Sequence, residues 1–117
     1  MDADYAEQLG RGVVWVAEED GVVGLIVLVE QPDAMLIENV AVDPRRQGEG
    51  IGGALLDFAE DRARAAGIDT VSLYTHEKMS ENLALYTGRG YAETERRGED
   101  GFSRVFLDKR LGPAGAG

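Results

Sequence analysis

The sequence predicts an α/β (α+β) fold with a mixed, twisted central sheet flanked by helices. Three observations carry that expectation. Three runs rich in β-branched residues follow one another with turn signals between them, a helical pattern opening on glycines comes next, and a further strand follows it. A meander joined to a strand–helix–strand unit puts antiparallel and parallel pairs into one sheet.

Taken in order, residues 2–9 carry a weak helical pattern and are expected to form a short helix. Residues 13–18, 22–30 and 35–42 read as strands. Asp20-Gly21 is a strong hairpin turn and Gln31-Pro32-Asp33 marks a second. In residues 50–66, Ile51, Leu55, Phe58, Ala59, Arg62 and Ala66 recur at helical spacing, Glu60 and Arg64 can pair on the outer face, and Gly67 ends the helix. Residues 70–75 form a strand, so 35–75 is a right-handed parallel crossover. A shorter helix runs from Ser80 or Glu81 to Thr87, with Ser80 as its N-cap. Residues 91–97 and 102–109 close the sheet as a hairpin. Residues 112–117 have nothing to bury and read as a flexible tail, leaving 1–111 as a single domain.

A chain of 117 residues is long enough for one modest core and too short for two. Its net charge of −10 repels nucleic acid and anionic membranes, and is compatible with a cationic substrate such as an amine. The absence of cysteine removes disulfides, zinc–thiolate sites and thiol nucleophiles together. No apolar run is long enough to span a membrane and the first residues are acidic, unlike a signal peptide, so a cytoplasmic location is expected. No metal is needed.

The most informative stretch runs from Val40 to Leu56. There an apolar strand enters a Pro-broken loop, then glycines, then a helix whose first turn is nearly bare of side chains. Such a start exposes backbone N–H groups and the positive end of the helix dipole, which suits a phosphate. Gly48-x-Gly50-x-x-Gly53 matches the dinucleotide-binding pattern by letter. In that fold, however, the strand runs straight into the first glycine, whereas here Asp43-Pro44-Arg45-Arg46-Gln47 intervenes. No Gly-Lys-Ser/Thr follows, so a P-loop is excluded. A phosphate-bearing cofactor of another kind is expected.

Strand, Val-Asp-Pro, Gln47-x-x-Gly50-x-Gly52, helix, strand, and then Asn82-Leu83-Ala84-Leu85-Tyr86-Thr87-Gly88-Arg89-Gly90-Tyr91 follow in order. This arrangement resembles the GNAT-type N-acetyltransferase superfamily over residues 12–110. The resemblance implies acetyl-CoA as co-substrate. Its pyrophosphate would lie on the backbone amides of Gln47, Gly48, Glu49, Gly50, Ile51, Gly52 and Gly53. Its pantetheine arm would pair with Val40, Ala41 and Val42 as an added strand where the fourth strand splays from the fifth. Asn82 would touch the cofactor from the other side. Tyr86 matches the family's general acid, which protonates the departing thiolate; by residue type alone it also reads as a packed core aromatic. Glu38 matches an acid that takes the amine proton, and burial beside Ile37 and Val40 would raise its pKa. His76 or a water are the other candidates for that base. Tyr74 and Thr75 are expected to line the substrate pocket.

Members of this family usually carry a strand and two helices before the first hairpin, whereas the stretch before Gly12 has room for part of one helix. The sheet edge at residues 13–16 is then expected to be bare, and a homodimer to cover it. Two further departures are Glu49, an anion in the phosphate loop, and Gly88, where a bulkier residue is usual. The resulting expectation is an acetyl-CoA-dependent N-acetyltransferase working by direct attack of a small-molecule or peptide amine. The rival is a non-catalytic acyl-CoA-binding or interaction module with the same fold.

Overall fold

A computed structural model describes residues 2–9, 12–99 and 101–112, with the backbone alone for residues 2–9 and 99. Seven strands form one sheet in the order β1-β2-β3-β4-β5-β7-β6. These are β1 (Asp2–Leu9), β2 (Gly12–Glu18), β3 (Val22–Glu30), β4 (Met35–Val42), β5 (Thr70–His76), β6 (Ala92–Glu99) and β7 (Phe102–Arg110). Helix α1 (Ile51–Ala65) joins β4 to β5, and α2 (Ser80–Gly88) joins β5 to β6. All pairs are antiparallel except β4–β5, so the sheet is mixed as expected.

The β2–β3 hairpin turns where Asp20-Gly21 predicts it. Both residues have positive φ, 53° and 106°, the geometry a tight hairpin twist requires. Residues 2–9 depart from expectation: they are a strand, not a helix, and β1 pairs with β2 from Asp2 opposite Glu18 to Leu9 opposite Gly12. The edge at residues 13–16 is therefore paired, which removes the ground on which a homodimer was expected. A weak helical pattern lost here to the hydrogen bonds that an open strand edge offers. Residues 113–117 of the expected tail lie outside the described residues.

Helix α1 packs on one sheet face, and the interface is tight enough to dictate residues. A Cβ on Gly24 would lie 3.1 Å from both Ile51 Cγ2 and Leu55 Cδ1. Ile26, Leu55, Leu56, Val71, Val105 and Leu107 are fully buried between helix and sheet, and Trp15 meets Phe58 edge-on at 5.1 Å. Arg62 and Ala66 are exposed, so the buried stripe runs instead through Ile51, Leu55, Leu56, Ala59, Glu60 and Ala63. Helix α2 joins the same core through Tyr86 and Leu83. No helix among the described residues is long and apolar enough to cross a membrane.

Glu60 was expected on the outer face beside Arg64. It is instead 5% exposed, and Arg64 pairs with Asp61 at 3.3 Å. The Glu60 carboxylate accepts from the Tyr91 hydroxyl at 3.1 Å and from Lys109 Nζ at 2.9 Å. Burial, reinforced by that carboxylate, pushes the Tyr91 phenol far above its ordinary pKa. The cluster ties α1 to β7 and to the residue preceding β6. Replacing Lys109 by Met is expected to cost about 1–3 kcal/mol in chemical denaturation, because it strips a buried carboxylate of its cation. Adding Glu60→Gln to that variant is expected to restore part of the loss.

Candidate active site

The parallel pairing of β4 with β5 covers Met35, Leu36 and Ile37 opposite Val71, Ser72 and Leu73, and then stops. Beyond that point β4 stays bonded to β3, from Asn39 opposite Val27 to Val42 opposite Gly24. The register skips Glu38, so Glu38 is the extra residue of a β-bulge, a device that bends and re-aims a strand. The side of residues 38–42 that faced β5 has no strand across from it. A wedge-shaped opening results.

At the far end of the wedge the chain makes a single 3₁₀ turn (Pro44–Arg46) and enters α1 through glycines. Gly50, at the N-cap position, has φ 83° and provides no side-chain cap, so the first-turn N–H groups have no acceptor there. A cleft of about 310 Å³ opens over them, lined by Val42, Arg46, Gln47, Gly48, Gly50, Ile51, Gly52, Gly53, Glu81, Asn82 and Leu85. The glycines divide by cause. Gly48 and Gly50 have positive φ and open space where a Cβ would stand. At Gly52 a Cβ would meet Leu85 Cδ2 at 3.4 Å, an ordinary contact, whereas at Gly53 it would press on Nη1 of Arg89, the residue after α2, at 2.9 Å. Arg89 is held against α1 by an ion pair with Asp57.

Arg45 and Arg46, which precede the glycine loop, are engaged by carboxylates. Hydrogen bonds from Arg45 hold the Asp43 carboxyl below its ordinary pKa. Arg46 donates from Nε to both Glu49 oxygens at 2.8 and 2.9 Å, and from Nη2 to Glu19 at 2.8 Å. The anion within the loop is thus matched by a neighbouring cation that also lines the cleft.

A second cleft, about 210 Å³, lies in the wedge itself and brings together Ile37, Glu38, Asn39, Val40, Leu73, Tyr74, Thr75, Met79, Asn82 and Tyr86. Asn82 lines both clefts. Tyr86 is 4% exposed and meets Tyr91 edge-on at 6.2 Å. Burial raises its phenol above the ordinary value. Glu38 is exposed, so the burial expected of it is not found. Its position in the bulge puts it at the strand surface.

Sequence reasoning therefore names most of the lining, with exceptions. The Ile51 side chain is in the core, leaving only its backbone for the cleft. Ala41 lines neither cleft; with Val22–Leu25, Val42 and Asp43 it borders a third depression, which shares Val42 with the first cleft. Glu49 faces Arg46 and Glu19 rather than the first cleft. His76 stacks on Phe102 at 4.4 Å, its Nδ1 accepts from Lys78 N, and it does not line the second cleft. Ser80 is the first residue of α2 rather than its cap; Met79 holds that position. Met79, Glu81 and Leu85 were missed. The one available signal was their spacing around Asn82 on a helix already in view.

Residues 10–93 match the family model of the acetyltransferase (GNAT) domain. The chain belongs to that family. This GNAT domain is 37% identical over 83 residues to the mycothiol acetyltransferase of Beutenbergia cavernae, a match covering 68% of this chain and 28% of that one. It spans 26% to 50% of the length of the curated relatives it matches. Among solved structures it resembles an IAA acetyltransferase from Bacillus cereus, with TM-score 0.77, 31% identity, and coverage of 86% of this chain and 79% of that one. It also resembles a Bacillus subtilis acetyltransferase solved in complex with CoA, with TM-score 0.76, 27% identity, and coverage of 86% and 78%.

The division of the glycines is open to test by stability alone. Gly50→Ala is expected to cost about 1–2 kcal/mol in thermal denaturation, because the strain lies in its left-handed backbone and not in packing. Gly88→Ala, in open space at the last residue of α2, is expected to stabilise by about 0.5 kcal/mol, part of the interior Gly-to-Ala difference.

Proposed function

We propose that this GNAT domain transfers the acetyl group of acetyl-CoA to a primary amine by direct attack. The observation that carries the reading is the parting of β4 from β5 between an uncapped glycine helix and a buried tyrosine. The residues fit the co-substrate: bare first-turn amides and open space at Gly48 and Gly50 suit a diphosphate, and the free side of β4 suits an amide-rich arm. Acetyl-CoA supplies an activated acetyl thioester.

The backbone of Gln47 to Gly53 would hold the diphosphate, with Val40 and Val42 pairing the arm and Asn82 closing the space from α2. A backbone N–H of β4 near Val40 would polarise the acetyl carbonyl. Glu38, directly or through a water, would take the proton that the amine nitrogen loses as its bond to the acetyl carbon forms. Tyr86 would give a proton to sulfur as the carbon–sulfur bond breaks. Its raised pKa keeps the phenol protonated through neutral pH, which suits an acid. The absence of cysteine supports a mechanism without a thioester on the protein. The exposure of Glu38 is the observation that favours the other reading, binding without turnover.

Calorimetric titration with acetyl-CoA, CoA and NADH is the first test: saturable binding of the two thiol-derived nucleotides and none of NADH is expected. Binding of none of them would overturn the proposal. Tyr86→Phe is expected to lower kcat about 10²-fold with little change in acetyl-CoA affinity. The alkaline limb of the wild-type pH–rate profile is expected above the ordinary phenol value of 10 and absent in Tyr86→Phe. The sign follows from the raised pKa, since a phenol that ionises later keeps its proton to higher pH.

A further inference from the structure

We infer that Arg46 is a side-chain contact for the diphosphate of the acyl donor, and that Glu19 and Glu49 hold its guanidinium in place while damping its charge. The inference rests on the transfer reading above. Among the described residues, Arg46 is the one cation that lines the first cleft, and Glu81 is the one carboxylate. The first-turn amides of α1 therefore have a single side-chain cation beside them. Arg45 lines neither cleft and is bonded to Asp43.

The hydrogen bonds of Arg46 are divided by edge. Nε donates to Glu49 and Nη2 to Glu19, so the side-on edge of the guanidinium is taken up. Nη1 makes no hydrogen bond among the described residues, and Nη2 has a second proton. The end-on pair of donors is left for a ligand. The linings divide in a matching way. Arg46, Gly50 and Ile51 line both the first cleft and the depression that holds Glu19, Glu49 and Ala54, whereas neither of those carboxylates lines the cleft. Arg46 stands at the border between the two.

Two carboxylates on one guanidinium leave the group with a net charge of −1. They order a long side chain before any ligand arrives, which lowers the entropy lost on binding. They also repel a diphosphate at close range, so the affinity they leave is below what the arginine could give. A ligand with two adjacent anionic oxygens can take Nη1 and Nη2 together, and the bare amides of the same cleft suit that chemistry. Glu49 is the damping residue most easily separated from the tether. With Glu49→Gln, Glu19 still holds Nη2 and an amide oxygen still accepts from Nε, so the guanidinium keeps its place while one negative charge is lost.

The test is calorimetric titration with CoA and with dephospho-CoA, which keeps the diphosphate and lacks the 3′-phosphate. Arg46→Gln is expected to weaken both ligands alike, about tenfold. Glu49→Gln is expected to tighten both about threefold. A guanidinium that served only to fasten the loop would give the opposite sign for Glu49→Gln, because loosening the bridge would then weaken binding. That result would overturn the inference. So would Arg46→Gln binding CoA as tightly as wild type, or weakened CoA with unchanged dephospho-CoA, which assigns Arg46 to the 3′-phosphate. In each of these cases wild-type binding of CoA leaves the transfer reading standing. Failure of the wild-type protein to bind either ligand would overturn that reading, and this inference with it.

Discussion

The arrangement depends on where one pair of strands stops pairing. β4 and β5 share three residue pairs and then diverge, while β4 continues on β3. A parallel pair cannot be closed by a tight turn and needs a crossover, which here is α1. The same divergence that frees one side of β4 therefore also delivers the N-terminus of α1 to the end of the freed strand. The bulge at Glu38 assists by bending β4 at the first residue beyond the shared pairs. Backbone hydrogen-bonding capacity, a helix start and a strand end are thus brought together by one geometric fact.

Helix α2 sets the other wall, and the residue after it, Arg89, approaches the first turn of α1 at Gly53. Tyr86 is the one residue that α2 buries, so the helix is held through few apolar contacts and through its approach to α1. Gly53 permits that approach, since a Cβ there would press on the Arg89 guanidinium. A sequence motif read as a ligand signature contains one glycine, Gly53, that packing against the end of α2 also explains. Both requirements fall on the same turn.

The strands from β2 to β7, both helices and the crossover were legible because each has a strong local signal: β-branched runs, Asp20-Gly21, and helical spacing closed by Gly67. Residues 2–9 were misread because their fate is set by a partner strand rather than by local preference. Glu60 was misread because helical spacing alone does not reveal that Tyr91 and Lys109 meet it from distant parts of the chain. In the candidate site, motif positions on the loop and α2 were legible by spacing. Ile51 lends its backbone to the first cleft and its side chain to the core, since a motif counts residues while a strand or helix sorts side chains by face. The exposure of Glu38 had no sequence signal, because a bulge is a mismatch between two strands and is written in neither alone.

The bridge from Glu19 through Arg46 to Glu49 has a consequence for how the glycine loop behaves in salt. It fastens the loop to the β2–β3 turn by ion pairs whose side chains remain substantially solvated. At physiological ionic strength charges are screened over about 8 Å, and more concentrated salt shortens that reach. Salt therefore slackens the tether, and the two carboxylates compete less for the guanidinium. It also weakens any attraction between Arg46 and an anion, while relieving the repulsion of that anion by the acidic surface. The tether between the glycine loop and the β2–β3 turn is in this way one arginine shared between two carboxylates.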